Sequence, residues 1–222
     1  FGMWHAVQEP RERHVVVYTD ADLSTHLGQT GLLVGPILEA DKAAAIGSRR
    51  RLTSVVIKRG MRNRRGKLFI YLWKRMIPVL GPIIDTQCGF KAFRASVAAE
   101  IVKDTIEKRF AFDIELLLRT QLSRPGSIAK VPIAWIDSEA ASTTKDLQPY
   151  LPMLQSIVRI AKRYAPPSDD SMSFAQLIDS LDEASWGRLS RHVPSLIADR
   201  EPIELEAFDG VTANDLRDVA SR

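Results

Sequence analysis

The chain has 222 residues, 45% of them apolar, which permits one sizeable core and a small appendage. Its 31 basic and 27 acidic side chains leave a net charge of +4, too modest to imply a nucleic-acid partner by itself. Cys88 is the only cysteine, so no intrachain disulfide forms, and no run is long and apolar enough for a membrane span.

The first residue is Phe rather than Met, and Trp4, Ala6 and Val7 read as part of a helix, so a start upstream is expected. No signal peptide is visible, and a cytoplasmic location is expected. Residues 15–19 (Val-Val-Val-Tyr-Thr) read as a buried parallel strand that ends on Asp20-Ala-Asp22. Ligands of open α/β sheets collect at such strand ends. A turn at Ala21 lets both carboxylates converge on one hard cation, Mg²⁺ or Mn²⁺, carrying phosphate oxygens. The plainer alternative is an Asx turn or a helix N-cap.

Leu23 to Leu38 reads as helical, weakened by Gly28, Gly31 and Gly35. Ala43 to Gly47 reads as a short strand, followed by Ser48-Arg-Arg50, whose forks suit phosphate oxygens. Between Asp41 and Asp85 there is no acidic residue, while Arg49, Arg50, Arg51, Arg62 and Arg65 lie among many other bases. Residues 66–80 read as an apolar helix between basic clusters, the composition of a helix resting in an anionic membrane interface. Peripheral membrane contact through residues 49–77 is therefore expected. An ordinary core helix after a solvated basic loop is the competing reading. No nucleic-acid motif accompanies the basic run.

Asp85-Thr-Gln-Cys-Gly-Phe-Lys91 packs an acid, an amide, a permissive glycine and a base into seven residues. Gly89 lets the backbone approach a ligand closely, and Cys88 reads as a packing residue. Strand 89–94 and helix 97–105 follow. Phe112 to Leu122 reads as a helix with Asp113 and Glu115 in its first turn, where the dipole favours acids and an apolar setting tunes them as general bases. Ile128 to Trp135 reads as a strand broken, or held at an edge, by Pro132. Trp135-Ile-Asp-Ser138 and Ser142-Thr-Thr-Lys145 are expected to form a loop, either plain or closing over substrate. Residues 149–164 read as an amphipathic helix, 165–171 as a linker, and 172–222 as two or three short helices. The expected domains are 1–165 and 166–222.

Five of these segments, in this order, resemble the dolichyl-phosphate mannose and glucose synthase branch of the family-2 glycosyltransferases. They are Asp20-Ala-Asp-Leu-Ser24, Gly47-Ser-Arg49, Asp85-Thr-Gln-Cys-Gly-Phe-Lys91, Phe112-Asp-Ile-Glu115 and Val131-Pro-Ile-Ala-Trp135. The resemblance implies an α/β GT-A (Rossmann-like) fold, here incomplete at its N-terminus because the family's opening nucleotide-binding strand has no counterpart, with a small helical C-terminal appendage. It implies an inverting transfer of a hexose from a UDP- or GDP-sugar to a polyprenyl phosphate at the membrane face. By the same resemblance Asp20 and Asp22 hold Mg²⁺ or Mn²⁺ and the donor diphosphate, with Gln87 and Gly89 beside the donor. Ser48 and Arg49, with Arg62 and Arg65, meet the acceptor phosphate, and Asp85 sits near the donor sugar. A phosphate acceptor needs no strong base; a hydroxyl acceptor would make Asp113 or Glu115 the base.

Two other classes stay open on the sequence. A haloacid-dehalogenase-type phosphatase also starts from an apolar strand and Asp-x-Asp, but needs a later acidic pair at a strand end, whereas Asp169-Asp170 reads as part of a Pro/Ser linker. A non-enzymatic basic module for membrane or nucleic acid would leave the aspartates structural.

Overall fold

The computed structural model describes residues 1–9, 11–57, 63–137 and 150–222. In chain order it contains α1 (Gly2–Ala6), β1 (Val15–Thr19), α2 (Thr30–Glu39), β2 (Ala44–Ser48), β3 (Val55–Ile57), α3 (Asn63–Met76), β4 (Phe90–Arg94), α4 (Ala95–Ile101), α5 (Phe112–Ser123), β5 (Ile128–Pro132) and β6 (Ala134–Ile136). There follow α6 (Tyr150–Tyr164), α7 (Asp169–Ser180), α8 (Glu183–Arg191), α9 (Ser195–Ala198) and α10 (Ala213–Ser221). Two compact units emerge. One draws on Phe1–Arg59, Asp85–Ile106 and Phe112–Thr143, the other on Gly60–Ile84, Glu107–Ala111 and Thr144–Arg222.

The first unit is mixed α/β, as the motif pattern implies. Its four-stranded sheet has the order β1-β4-β2-β5. β4 runs antiparallel to both β1 and β2, and only β2 and β5 are parallel. The parallel setting expected for residues 15–19 is therefore corrected: β1 pairs with β4 alone, in antiparallel register from Val15↔Arg94 to Thr19↔Phe90. A run of β-branched residues signals a strand but carries no information about the direction of its partner.

β2 is buried along its whole length. Leu33 and Ile37 of α2 cover one sheet face with Ala45, Cys88, Phe90, Ala92 and Val131. α2 is preceded by a single 3-10 turn at Leu27–Gln29, so the helix expected from Leu23 begins later. Pro132 ends β5 at the sheet edge, and after Ile133 the chain enters β6, which pairs in parallel with β3 as a separate two-stranded ribbon. Gln29 clamps the other side of β6: its Oε1 accepts from Ala134 N–H at 2.7 Å and its Nε2 donates to Ala134 C=O at 2.9 Å. The loop expected from Trp135 to Lys145 is corrected at its start, since Trp135 and Ile136 belong to β6; Ser138 to Lys145 lie outside the described residues, as do Arg62 and Pro149.

In the second unit α3 is a central helix. Leu68, Tyr71, Leu72, Trp73, Met76 and Ile77 are all fully buried. Its lysines turn inward as well: Lys67 Nζ donates to Ala198 C=O at 2.9 Å, and Lys74 donates to Gly81 C=O. The Tyr71 hydroxyl donates to Val211 C=O at 2.5 Å and accepts from Val211 N–H at 3.1 Å. The expectation that residues 66–77 lie in a membrane interface is thereby corrected in favour of the core-helix reading, because every residue from Lys67 to Lys74 is buried. The expected linker is shorter than read. Ser168 caps α7 through a reciprocal capping box with Ser171, so Asp169 and Asp170 open a helix and complement its dipole. Similar boxes start α8 at Asp182 and α10 at Thr212. Among the described residues no helix is long and apolar enough to cross a membrane.

Candidate active site

The reversed direction of β4 assembles the site. Because β4 is antiparallel to β1 and β2, its first residues lie beside the last residues of both. Thr19 pairs with Phe90 and Ile46 pairs with Lys91. The Asp85–Gly89 segment therefore arrives at the sheet edge where Asp20 leaves β1 and Arg49 leaves β2. β5, parallel to β2, delivers Ile133 and Trp135 to that edge.

Asp20 N–H donates to Gly89 C=O at 2.7 Å, one more rung beyond the β1–β4 ladder. The Asp20 carboxylate stands over Gly89 in space that a methyl group at Gly89 would occupy. Burial, then the nearby carboxylates of Asp22 and Asp113, push the Asp20 carboxyl above its usual range; Lys91 and Arg49 oppose them. Asp22 Oδ1 accepts from Ser24 N–H at 2.9 Å, an Asx turn. Between them Leu23 sits at φ 59°, a left-handed conformation costly for a bulky side chain. The plainer Asx-turn reading is thus present, and it turns the chain so that Asp20 and Asp22 stay within electrostatic reach of each other.

Asp85 is buried and accepts three hydrogen bonds from one residue: Arg49 N–H at 2.6 Å, Nε at 3.0 Å and Nη2 at 2.6 Å. The Arg49 guanidinium also lies 5.2 Å from the centroid of Trp135. Burial works against both charges, but the pairing prevails: it lowers the Asp85 carboxyl below its ordinary value and raises Arg49 above its own. The sign for stability follows. A carboxyl near 3.9 in the unfolded chain and lower in the folded one stabilises fully above about pH 4 and loses that contribution as pH falls through the folded value. Asp85→Asn, which leaves a largely buried guanidinium unpaired, is expected to cost about 3 kcal/mol at pH 7. In thermal melts from pH 7 to pH 2, the gap between variant and wild type should close below about pH 4.

Beneath Asp20 lies a second buried ion pair. Lys91, fully buried, donates to Asp113 Oδ1 at 2.7 Å and to Cys88 C=O at 2.5 Å. Tyr18, its cross-strand neighbour, donates its hydroxyl to the same Asp113 oxygen, and the Lys91 ammonium lies 5.4 Å from the Tyr18 ring centroid. Burial and then Asp113 hold the Tyr18 hydroxyl well above its usual range, so it remains a donor. Burial also pushes the Cys88 thiol up to about 11, which suits packing rather than nucleophilic chemistry.

The other candidate residues are placed as follows. Glu115, fully buried on α5, accepts from Ile106 N–H at 2.9 Å and ties down the chain before its helix. Ser48 Oγ accepts from Arg50 N–H at 3.2 Å. Among the described residues Gln87 Nε2 and Ser24 Oγ are buried with no hydrogen-bond partner. Arg65 belongs to α3 in the second unit. A surface depression beside α1, lined by His5, Glu9 and His14 among others, holds none of the candidate residues. Sequence reasoning named Lys91 and Trp135 only as parts of their segments, without a role of their own, and gave none to the Tyr18 side chain. The available signal was a lysine between Phe90 and Ala92 inside a short apolar strand.

Among the described residues no cluster of three or more His, Cys, Asp or Glu side chains forms a metal cage. Asp20 and Asp22 have the donor chemistry that a hard divalent cation takes. Mg²⁺ in phosphate chemistry takes one or two protein carboxylates and completes its shell with water and phosphate oxygens. Two mutually repelling carboxylates, one fitted over a bare glycine, match that donor set.

Comparison with known proteins gives the same direction as the motifs. No family model matches the chain. It is 34% identical over 125 residues to glycosyltransferase AglD of Haloferax volcanii, a stretch covering 54% of this chain and 19% of that protein. It is 38% identical over 86 residues to the dolichyl-phosphate beta-glucosyltransferase of Dictyostelium discoideum, covering 37% of this chain and 24% of that one. It is 36% identical over 98 residues to the enzyme of that name from Saccharomyces cerevisiae, covering 42% and 28%. The chain thus spans less than a third of the length of each relative. The resemblance to the dolichyl-phosphate glycosyltransferase branch read from the motifs is borne out by these similarities.

Proposed function

We propose, from this likeness and the geometry of the sheet edge, that the chain carries part of the catalytic domain of a glycosyltransferase. The enzyme would move a hexose from a UDP- or GDP-sugar to a polyprenyl phosphate at the cytoplasmic face of a membrane, by a single inverting displacement. The mixed α/β unit is compatible with a GT-A fold. The observation that carries the reading is the meeting, at one sheet edge, of Asp20 over Gly89 with Arg49 fixed on Asp85.

Asp20 and Asp22 are the residues to hold Mg²⁺ or Mn²⁺ against the donor diphosphate. When bound, the cation would neutralise the charge that develops on the departing diphosphate. Gln87, whose buried Nε2 has no partner among the described residues, is the amide to hydrogen-bond the donor. Asp85 takes the Nε and Nη2 edge of Arg49 and leaves Nη1 for an acceptor phosphate, while Trp135 packs against the guanidinium. Asp85 therefore acts as a positioning residue. Asp113 is already engaged by Lys91 and Tyr18. That arrangement suits an acceptor that arrives as an anion, for which positioning and charge neutralisation suffice. The phosphatase reading, which the sequence already left without an acidic pair at a strand end, gains none from Asp169 and Asp170, which open α7.

The test is a screen of UDP- and GDP-hexoses with Mn²⁺ and a polyprenyl phosphate, using the full-length protein. A lipid-linked sugar is the expected product, and Asp22→Asn is expected to reduce its formation ~100-fold or more. Wild-type turnover by Asp22→Asn would overturn the cation assignment. Donor hydrolysis through a trapped phosphoenzyme would favour the phosphatase.

A further inference from the structure

Gln29 stands at the N-cap of α2, the position where Ser, Thr, Asp or Asn bonds the free amides of a first turn. Its side chain caps nothing there. It reaches β6 instead, 105 residues away, and takes both backbone groups of Ala134: Oε1 accepts the N–H at 2.7 Å and Nε2 donates to the C=O at 2.9 Å.

β3 and β6 are three residues each and pair with each other outside the four-stranded sheet. A two-stranded ribbon is marginal in water by itself. This one buries little, since Val55 is 61% exposed, Ile57 53% and Ile136 57%. Toward β3, Ile133 C=O accepts from Val55 N–H at 3.0 Å and Asp137 N–H donates to Ile57 C=O at 2.8 Å. Neighbouring residues of a strand turn their backbone groups to opposite edges, so Ala134 and Ile136 face away from β3. On that side Ile136 N–H donates to Ser24 C=O at 2.9 Å, and the Gln29 amide serves Ala134 as a third strand would.

Trp135 lies between those two residues. Its ring is half-buried against the sheet core, and its centroid is 5.2 Å from the Arg49 guanidinium. Asp85 fixes that guanidinium through Nε and Nη2, and the Trp135 ring packs against it. A slip of β6 along its own axis would carry the ring off the guanidinium. We infer that Gln29 is a positioning residue for the phosphate-acceptor subsite. By pinning Ala134 it sets Trp135 on Arg49, and so sets how Arg49 meets an anionic acceptor. The inference rests on the proposed function for the identity of that acceptor; the contacts that lead from Gln29 to Arg49 stand without it.

Gln29→Ser separates positioning from folding, because serine can cap α2 but is too short to reach Ala134. Its melting temperature is expected to stay within a few degrees of wild type. Gln29→Glu, favoured at a helix start by the dipole but set against the Ala134 carbonyl, is the second variant. The first readout is the Arg49 Nε–H signal in ¹H–¹⁵N spectra of the chain, assigned by its loss in Arg49→Lys. The bond to Asp85 protects this proton, and the ring current of Trp135 displaces it. Trp135→Leu is expected to remove the displacement, and both Gln29 variants to remove a large part of it. A signal unmoved in the Gln29 variants overturns the inference, and so does one unmoved in Trp135→Leu. The second readout is sugar transfer by the full-length protein from a UDP- or GDP-hexose, with Mn²⁺, to a short water-soluble prenyl phosphate. In Gln29→Ser the KM for the prenyl phosphate is expected to rise about two- to fivefold, the scale of one arginine–aromatic contact, with kcat and the donor KM nearly unchanged. An acceptor KM at the wild-type value, or a donor KM that rises equally, overturns the inference. Absence of transfer in wild type would refute the proposed function and leave the shift of the Arg49 signal standing.

Discussion

Gly89→Ala is expected to abolish cation-dependent donor turnover, by ~100-fold or more, while the protein stays folded. A Cβ at this position would overlap the Asp20 carboxylate, which would have to leave its seat. Gly89 does not occupy the left-handed region, so the alanine backbone itself is unstrained, and a fold defect is not the expected cause of the loss. The side chain that must move is one of only two carboxylates assigned to the cation, so a small displacement is felt in full. Mn²⁺ titration followed by electron paramagnetic resonance should show weakened binding, and the melting temperature should shift by only a few degrees. Unchanged Mn²⁺ affinity in Gly89→Ala would remove Gly89 from the site.

Lys91→Met is expected to be the most destabilising single change in the first unit, costing about 3–5 kcal/mol. The methionine has nearly the shape of the lysine stem but cannot neutralise Asp113, which would remain buried with only the Tyr18 hydroxyl to satisfy it. The Cys88 carbonyl would lose its buried donor as well, loosening the turn that carries Gly89. The double variant Lys91→Met, Asp113→Leu is expected to recover a good part of the loss, since an apolar pair costs less than an unpaired buried charge. Urea denaturation of the four forms measures the coupling. A single-variant cost below about 1 kcal/mol would show that the pair is not a buried anchor.

The two variants separate what the site needs from what the sheet needs. Gly89 and Asp20 meet at the strand ends, where backbone approach decides whether a carboxylate can sit. Lys91, Asp113 and Tyr18 lie one residue deeper and hold the floor under it. Glu115, two residues from Asp113 on the same helix, anchors Ile106 instead. Adjacent acids on one helical turn point in different directions, and this division of labour cannot be read from their spacing alone.

Much of the local structure was legible in residue pattern because it depends on local physics. β-branched runs and a proline at the end of β5 set where strands begin and stop, whereas the Ser168, Asp182 and Thr212 boxes went unread and 169–222 holds four α-helices rather than the two or three expected. The five motif segments likewise pointed to one family branch, which the relatives bear out. Helix α3 was misread for a specific reason. An apolar helix with lysines at both ends has the same composition whether its partner is a bilayer or protein, and only the inward bonds of Lys67 and Lys74 distinguish the two.

What the chain's order of residues determined by itself was the chemistry on offer: two carboxylates one residue apart, an arginine after a strand, a glycine beside an amide and a buried-strand lysine. What only the tertiary structure decided was their meeting. Strand direction is a long-range property, set by which partner completes the hydrogen-bond ladder. The antiparallel course of β4 carries Asp85 and Gly89, distant in sequence, to the edge where β1 and β2 release Asp20 and Arg49.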